Sequence, residues 1–275
     1  MPCMSDLSLS PELTDLVLAY LGSPKKSPSI RYLNQLIQAY IQHVPWESIT
    51  RLIKRHTTSK TSDCPRWPVE FWKDARFYGT GGTCFECNLA FFSLLTTLGF
   101  QGYLTINDMQ ENRACHTASV IWLSRQKYLV DVAIPLQCAL PVHNEGLTRR
   151  STRFHNYTIR PIGGFVFEVE RSHHPKRNIF TLLDTPIPLD GYRAAVERDY
   201  DENGLFLDRV IIVKVIGDRL WRFSSMDKPY KLEGFDKTTR QEITVSLEKL
   251  APTLAGHFGL QEDKINAALS YFQLG

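Results

Sequence analysis

The sequence predicts an α+β fold that begins with helices, continues with strands and ends with both. Apolar residues recur at helical spacing in the first hundred residues, whereas short runs rich in β-branched and aromatic residues, separated by turn residues, follow from Tyr103 onward. At 275 residues the chain is long enough for a large core and more than one structural domain.

The first predicted helix has the clearest start and stop signals. Ser10 is placed to cap it, Pro11 occupies its first position and Gly22 follows its apolar stripe. Three further helices precede residue 100, and three follow residue 190. The predicted helices after the first are 33–41, 68–77, 85–98, 192–200, 247–258 and 263–272.

The predicted strands begin after the fourth helix and alternate with polar turn segments. They are residues 103–107, 116–123, 128–132, 157–160, 165–170, 179–183, 210–215, 219–224, 229–233 and 238–245. We found no repeat and no low-complexity segment.

A glycine-rich loop leads directly into the predicted helix that starts beside Cys84. Gly79, Gly81 and Gly82 permit positive φ angles and leave room for a substrate to reach the sulfur. The first turn of this helix points N–H groups and the positive end of its dipole at Cys84, which is expected to lower the pKa of the thiol. We predict that Cys84 is a nucleophile. The alternative is a buried, inert cysteine, which is the commoner state of this residue.

His116 and Asp131 are candidates for a base and for the group that orients it. The strand that His116 opens and the β-rich run 128–132 are predicted to form a hairpin. If its turn is residues 124–125, Asp131 lies opposite Ala118 and diagonal to His116 on one face, within side-chain reach. A one-residue slip of the turn would place Asp131 too far from His116.

The alternatives are that His116 is a core histidine hydrogen-bonded to the backbone and that Asp131 is an edge-strand residue that faces water. Asp131 lies between two valines, however, and a carboxylate in an apolar strand is costly unless it has a partner. A cysteine nucleophile needs a base within hydrogen-bond reach and a third group to orient that base. Cys84, His116 and Asp131 together meet this requirement.

The cysteines also permit two other interpretations. Cys84, Cys87, Cys115 and His116 have the composition of a zinc site, and Cys84-x-x-Cys87 has the spacing of a redox pair. Adjacent strand residues point to opposite faces, so Cys115 and His116 would not both face one ion. A redox pair would leave His116 and Asp131 without a role, and we expect no metal.

These residues resemble the arylamine N-acetyltransferase family. Its motif Arg-Gly-Gly-x-Cys-Phe-Glu-x-Asn is matched by residues 81–88, and its histidine and aspartate strands by His116 and residues 128–132. Residues 44–49 resemble the family's Pro-Phe-Glu-Asn-Leu segment, and residues 232–260 weakly resemble its closing region. The resemblance covers most of the chain, with specific motifs in the first half and a loose match after about Pro141.

The resemblance implies a three-part α+β architecture with a core like that of papain and transglutaminases. An N-terminal helical bundle over residues 1–100 would hold the nucleophile. A central β-barrel over residues 101–190 would hold the histidine and the aspartate, and a C-terminal α/β lid would span residues 191–275. The active site is expected between the first two parts.

The resemblance also implies a ping-pong acyl transfer from acetyl-coenzyme A, or another short acyl-coenzyme A, to an arylamine or arylhydrazine. The implied site residues are, for catalysis, Cys84, His116 and Asp131, and, for substrate binding, Trp46, Phe85 and Ile134. A eukaryotic, fungal-type enzyme of xenobiotic metabolism is expected, as a cytoplasmic protein and preferably a monomer. Two alternatives are a cysteine hydrolase or amide synthase with the same triad, and a non-catalytic homologue that binds small molecules.

The chain departs from the family pattern in three places. Thr80 stands where the family has arginine, so Glu47 is expected to lack its usual ion pair and the loop before Cys84 needs other support. Ser48 replaces an asparagine. Ala133-Ile134-Pro135 replaces Gly-Phe-Gly, which changes an aromatic residue and a glycine expected to face the substrates.

Composition agrees with an enzyme of small substrates. Hydrophobic residues make up 43% of the chain and charged residues 22%, and the net charge of +3 is too small to indicate a nucleic acid partner. The start of the sequence lacks the features of a signal peptide, and no apolar run is long enough for a membrane span, so a cytoplasmic location with reduced thiols is expected.

Overall fold

The computed structural model of the protein describes residues 7–134, 136–172, 178–202 and 204–272. Cys3 and Pro135 lie outside these residues. The helices are α1 Pro11–Tyr20, α2 Ile30–His43, α3 Ile49–Thr57, α4 Pro68–Tyr78, α5 Cys84–Thr97, α6 Leu189–Asp199, α7 Leu250–Phe258 and α8 Glu262–Ser270.

The strands form two antiparallel sheets. They are β1 Trp46–Glu47, β2 Gln101–Met109, β3 Asn112–Leu123, β4 Gln126–Val130, β5 Leu140–Val142, β6 Thr148–Ser151, β7 Asn156–Gly163, β8 Val166–Arg171, β9 Asn178–Leu183, β10 Ile211–Ile216, β11 Arg219–Ser224, β12 Lys231–Phe235 and β13 Arg240–Thr244.

Helix α1 begins at Pro11 as predicted, and α4 and α5 lie within one residue of their predicted limits, whereas α2 is longer than predicted by three residues at its start and two at its end. The Ser10 hydroxyl accepts a hydrogen bond from the backbone N–H of Leu13 at 3.2 Å, and Gly79 ends α4 with φ 68°. Helix α5 is buried at every position from Cys84 to Leu95, so it is the central helix of the bundle. Helix α3 was not predicted, because its short sequence is mostly polar.

The eight-stranded sheet has the order β5-β4-β3-β2-β9-β8-β7-β6 and curls into a nearly closed barrel. Its two edge strands approach each other, and the Thr148 hydroxyl of β6 donates a 2.8 Å hydrogen bond to the carbonyl of Pro141 in β5. Ala118, Leu129 and Phe167 are among the apolar residues that fill the interior. Barrel closure protects the edge strands from pairing elsewhere.

The hairpin of β3 and β4 has the predicted register. Ser124 and Arg125 have φ angles of 49° and 65°, which are typical of a type I′ turn, and Leu123 pairs with Gln126. Strand β4 ends at Val130, so Asp131 occupies the first position after it.

The last part of the chain forms a five-stranded sheet of order β1-β10-β11-β12-β13, against which α7 and α8 pack. Its first strand belongs to the N-terminal part, where Trp46 pairs with Val213. Ser48 makes the same connection, because its hydroxyl donates to the carbonyl of Arg209 at 2.7 Å and accepts from the N–H of Ile211 at 2.9 Å.

The architecture is therefore the predicted α+β fold of an N-terminal helical bundle, a β-barrel and a C-terminal lid that combines a sheet with helices. The limits of these domains stay a prediction. Within the described ranges, no helix has both the length and the apolar composition required to cross a bilayer.

Candidate active site

Cys84 is the first residue of α5 and lies against the start of the His116 strand. Its thiol donates to the carbonyl of Cys115 at 3.7 Å, and the residue is 7% exposed. The helix therefore brings the sulfur next to the backbone that immediately precedes His116. The parallel bridge between Trp46 and Gly82 holds the glycine loop beside β1.

His116 and Asp131 form a buried hydrogen-bonded pair. The Nε2 atom of His116 is 2.7 Å from Oδ2 of Asp131, and the two residues are 2% and 0% exposed. The other carboxylate oxygen, Oδ1, accepts from the backbone N–H groups of Ala133 and Ile134 at 3.0 and 3.1 Å. These bonds fix the orientation of the carboxylate, which in turn orients the imidazole.

Asn88 connects the helix of the cysteine to the loop of the aspartate. Its Nδ2 donates to Asp131 Oδ1 at 3.1 Å and to the carbonyl of Thr117 at 2.7 Å, while its Oδ1 accepts from the N–H of Val132 at 3.0 Å. Asn88 is the last residue of the motif at 81–88, and no role for it could be predicted from that motif. Its importance is indicated by the hydrogen bonds of its buried amide, and these can be seen only in the folded chain.

The glycine loop is supported by an arginine that sequence reasoning missed. The Arg66 guanidinium donates to the carbonyl of Gly81 and to the Glu86 carboxylate, the latter at 2.6 Å. The Glu47 carboxylate accepts from the N–H of Gly81 at 3.1 Å and from the Thr50 hydroxyl at 2.8 Å, and within the described ranges it forms no ion pair. The support that an arginine at position 80 would give to the glycine loop thus comes from Arg66, which lies on another loop.

The expectation that the helix dipole lowers the pKa of Cys84 is wrong for this structure. Burial raises the pKa of the Cys84 thiol well above its usual range, and the carboxylates of Asp199 and Asp131 raise it further, while Arg51 opposes them. Arg51 and Asp199 form a buried ion pair at 2.8 Å. A raised pKa disfavours the thiolate, so the reaction of the sulfur depends on a base that takes the thiol proton.

The three residues expected in the substrate pocket lie in different surroundings. Trp46 is half-buried, and its ring packs edge-on against Phe206 at 4.9 Å. Phe85 is 1% exposed and packs against Tyr192. Ile134 is 8% exposed, and its apolar neighbours belong to the barrel interior. Their role in binding substrate stays a prediction.

The other cysteines of the motif lie near Cys84 without forming a metal cluster. Cys87 is buried on α5, and its thiol donates to the carbonyl of Gly82 at 3.1 Å. Cys115 is half-buried and donates to the carbonyl of Asn112 at 3.4 Å. Among the residues that the structure describes, no group of three or more histidine, cysteine, aspartate or glutamate side chains could hold a metal ion.

Comparison with known proteins gives one family. A family model described as N-acetyltransferase matches residues 29–264, and no curated protein sequence matches the chain. The structure is similar to the arylamine N-acetyltransferase of Mycobacterium abscessus, with a TM-score of 0.75, 20% identity and 93% of each chain covered. It is also similar to the NAT3 arylamine N-acetyltransferase of Bacillus cereus, with a TM-score of 0.73, 18% identity and coverage of 91% of this chain and 99% of that one.

A third similar structure is the arylamine N-acetyltransferase of Mycobacterium marinum in complex with CoA. Its TM-score is 0.75 at 16% identity, and the match covers 92% of this chain and 96% of that one. These relatives are bacterial and confirm the fold, but they give no support to the expectation of a eukaryotic, fungal-type protein. Because the family model spans most of the sequence, the chain belongs to the N-acetyltransferase family.

Proposed function

We propose that this protein transfers an acetyl or similar short acyl group from a coenzyme A thioester to an arylamine or arylhydrazine through an acyl-Cys84 intermediate. The observation on which this rests is the 2.7 Å bond between His116 and Asp131, beside a thiol at the head of α5, in a chain of the N-acetyltransferase family. The CoA complex of the M. marinum relative and the Cys-His-Glu triad described for the B. cereus relative support the donor and the mechanism.

In the first half-reaction the Cys84 sulfur attacks the thioester carbonyl. Nε2 of His116 is engaged with Asp131, so Nδ1 is the ring atom that remains to accept the thiol proton. A new S–C bond to Cys84 forms, the S–C bond to coenzyme A breaks, and the departing thiolate takes the proton from His116. Exchange of one thioester for another has little driving force, which makes this step reversible.

In the second half-reaction the amine attacks the acyl-Cys84 carbonyl. Aromatic amines are weak bases, so their nitrogen is unprotonated and nucleophilic at neutral pH. His116 accepts the amine proton and returns it to the Cys84 sulfur as the thioester bond breaks, and the amide leaves. Backbone N–H groups at the head of α5 are suited to stabilise the oxyanion in both steps.

The burial of Cys84 favours transfer over hydrolysis. Only 7% of the residue is exposed, so an acyl group on the sulfur is largely shielded from bulk water until an amine enters. Such shielding favours an acyltransferase over a cysteine hydrolase that uses the same three residue types.

Initial-rate kinetics test the proposal. We expect release of coenzyme A from acetyl-, propionyl- or malonyl-coenzyme A in the presence of an aromatic amine such as 4-aminobenzoate, with the parallel double-reciprocal lines of a ping-pong mechanism. Intersecting lines would contradict the acyl-enzyme. Turnover of a peptide amide without any thioester would indicate the hydrolase, and no reaction with any of the three donors would indicate a non-catalytic homologue.

The remaining expectations also stand as proposals. We propose that residues 1–100, 101–190 and 191–275 act as the bundle, barrel and lid domains, and that Trp46, Phe85 and Ile134 contribute to substrate binding. We also propose a cytoplasmic location and a monomeric state. Light scattering at several concentrations would contradict the monomer if the mass exceeded 31.6 kDa by an integral factor.

A further inference from the structure

We propose that Arg66 is a positioning residue for Cys84 and performs, from a separate loop, the supporting role left open by Thr80. The inference deepens the proposed function and rests on it for its kinetic readouts only. It is drawn from the contacts of one buried guanidinium group.

Arg66 is 2% exposed and binds the chain on both sides of the cysteine. Its Nη2 donates to the carbonyl of Gly81, three residues before Cys84, and to Oε2 of Glu86, two residues after it, the latter at 2.6 Å. Its backbone N–H donates to Oε1 of the same carboxylate at 3.0 Å. One side chain therefore clamps the glycine loop and the first turn of α5 together.

The same guanidinium also reaches the segment after β1. The two N–H groups of Nη2 are shared among the Gly81 carbonyl, the Glu86 carboxylate and the Thr50 hydroxyl, the last at 2.9 Å. That hydroxyl donates to Oε1 of Glu47 at 2.8 Å. Glu47 in turn accepts from the N–H of Gly81 at 3.1 Å. Arg66 thus stabilises two buried carboxylates, Glu47 and Glu86, that would otherwise repel each other. Its positive charge counteracts the rise that burial causes in the pKa of Glu47.

Thr80 is the residue of this loop that stands where the resembling family has an arginine. The residue is 1% exposed, and within the described residues its Oγ1 has no hydrogen-bond partner. A neutral hydroxyl there cannot balance Glu47, whereas Arg66 does so through Thr50. The packing around the clamp is also tight, because a Cβ on Gly82 would lie 2.5 Å from the Glu86 carboxylate and 3.0 Å from Nη2 of Arg66.

The planar fork of arginine matters for this geometry. The Asp74 carboxylate lies 3.1 Å from Nη1 of Arg66. Lysine keeps the charge but has a single nitrogen, which cannot bind the Gly81 carbonyl and the carboxylates of Glu86 and Asp74 at the same time. Loosening the loop against α5 would shift the Cys84 sulfur relative to His116. A displacement of about 1 Å at a reacting atom can cost on the order of a hundredfold in rate.

The test compares Arg66→Lys with Arg222→Lys. Arg222 also bridges two carboxylates, those of Asp227 and Glu233, but both of these belong to the lid and neither to the glycine loop nor to α5. We expect Arg66→Lys to slow carbamidomethylation of Cys84 by iodoacetamide by about tenfold or more, and to lower kcat with little change in the KM for the amine. Arg222→Lys should leave both unchanged. Peptide mapping assigns the modified cysteine.

Two further variants test the proposal, and the first of them keeps Arg66. Thr50→Val removes the link from Arg66 to Glu47 and should give a smaller decrease in the same two rates. Adding Thr80→Arg to Arg66→Lys should restore part of both rates. Folded Arg66→Lys or Thr50→Val protein with wild-type alkylation and acylation rates would overturn the proposal, as would a lowered melting temperature without a change in rate.

The two readouts separate this proposal from the proposed function. Alkylation needs no acyl donor, so it reports the state of the Cys84 thiol even if no coenzyme A thioester reacts. Wild-type protein that is alkylated faster than Arg66→Lys but accepts no acyl group would contradict the acyltransferase and still support Arg66 as the positioning residue.

Discussion

The surroundings of Cys84 and the core of the C-terminal lid differ in the kind of side chain that they bury. Around Cys84, the charged or amide side chains of Glu47, Arg66, Glu86, Asn88 and Asp131 are each at most 3% exposed. Each is joined by hydrogen bonds to an element distant in sequence. Buried polar networks of this kind rigidify a site, and they are costly when one member is lost.

The lid core is instead almost entirely apolar. Ile212, Phe223, Leu254 and Ile265 are 0% exposed and pack with other hydrophobic side chains between the sheet and α7 and α8. The ion pairs of this region lie mainly at the surface, as for Arg240, whose side chain is 60% exposed. Stability here comes from area removed from water rather than from directed bonds.

The difference teaches that the two regions should fail in different ways. Substitutions in the polar network should affect reactivity more than folding when shape is preserved, whereas substitutions in the lid core should affect folding and leave the chemistry intact. Four substitutions test this contrast, from the largest expected effect to the smallest.

Asp131→Asn should give the largest loss. Asparagine keeps the shape and an acceptor for the N–H groups of Ala133 and Ile134 but cannot stabilise the imidazolium of His116, so kcat should fall by about 10³–10⁴-fold. Steady-state acetylation assays measure the change, and Asp218→Asn, at an exposed ion pair, is the matched control. A decrease of less than about tenfold would mean that Asp131 does not orient the base.

Leu254→Ala should destabilise the lid core without altering the chemistry. Leu254 is 0% exposed on α7, and its truncation should lower the free energy of unfolding by about 2–5 kcal/mol. Urea denaturation measures the loss, and Leu247→Ala, at a residue that is 48% exposed, should change it little. If folded Leu254→Ala lost most of its kcat, the two regions would not be separable.

Asn88→Leu tests the link between α5 and the aspartate loop. Leucine has a similar volume but leaves the Val132 N–H and the Thr117 carbonyl without their partner, at a cost of about 1–3 kcal/mol in stability. The kcat should fall by roughly 10–100-fold because Asp131 loses one of its anchors. Unchanged kcat in a destabilised variant would restrict Asn88 to a structural role.

Lys214→Met should give the smallest effect, in the pH dependence of stability. Burial lowers the pKa of Lys214 from 10.5 to about 8, so between these values the unfolded chain binds more protons and stability rises with pH. Replacing the lysine removes this cost but also the 2.7 Å hydrogen bond from Nζ to the Phe258 carbonyl, so any gain in melting temperature should be largest below pH 8 and should shrink towards pH 10.5. The exposed Lys25→Met serves as the control, and a gain that does not vary with pH would contradict the assignment.

Much of the fold follows from local rules that the sequence displays. The alternating strands predict the hairpin of β3 and β4, but its register and the approach of Asp131 to His116 depended on an assumed turn at Ser124-Arg125, which the structure has as a type I′ turn. Helix α3 was missed although Ile49, Leu52 and Ile53 recur at helical spacing, because the helix is short and also buries the polar Thr50 and Arg51.

The support of the site could not be predicted for a different reason. The bond from Arg66 to Glu86 spans 20 residues and that from Asn88 to Asp131 spans 43, and nothing in either local sequence indicates its partner. The pKa of Cys84 was predicted in the wrong direction because burial and the carboxylate of Asp199, a residue of α6, both raise it and neither is visible in the sequence around Cys84. Local patterns predict elements, whereas electrostatics depends on the packed structure.

The intact mass of the protein after brief exposure to acetyl-coenzyme A tests the central claim most directly. We predict an increase of one acetyl group, about 42 Da, which peptide mapping locates on Cys84. An aromatic amine should remove the group, and Cys84→Ala should not acquire it. A protein that acetylates the amine without ever showing the adduct, or an adduct that persists in Cys84→Ala, would contradict the account.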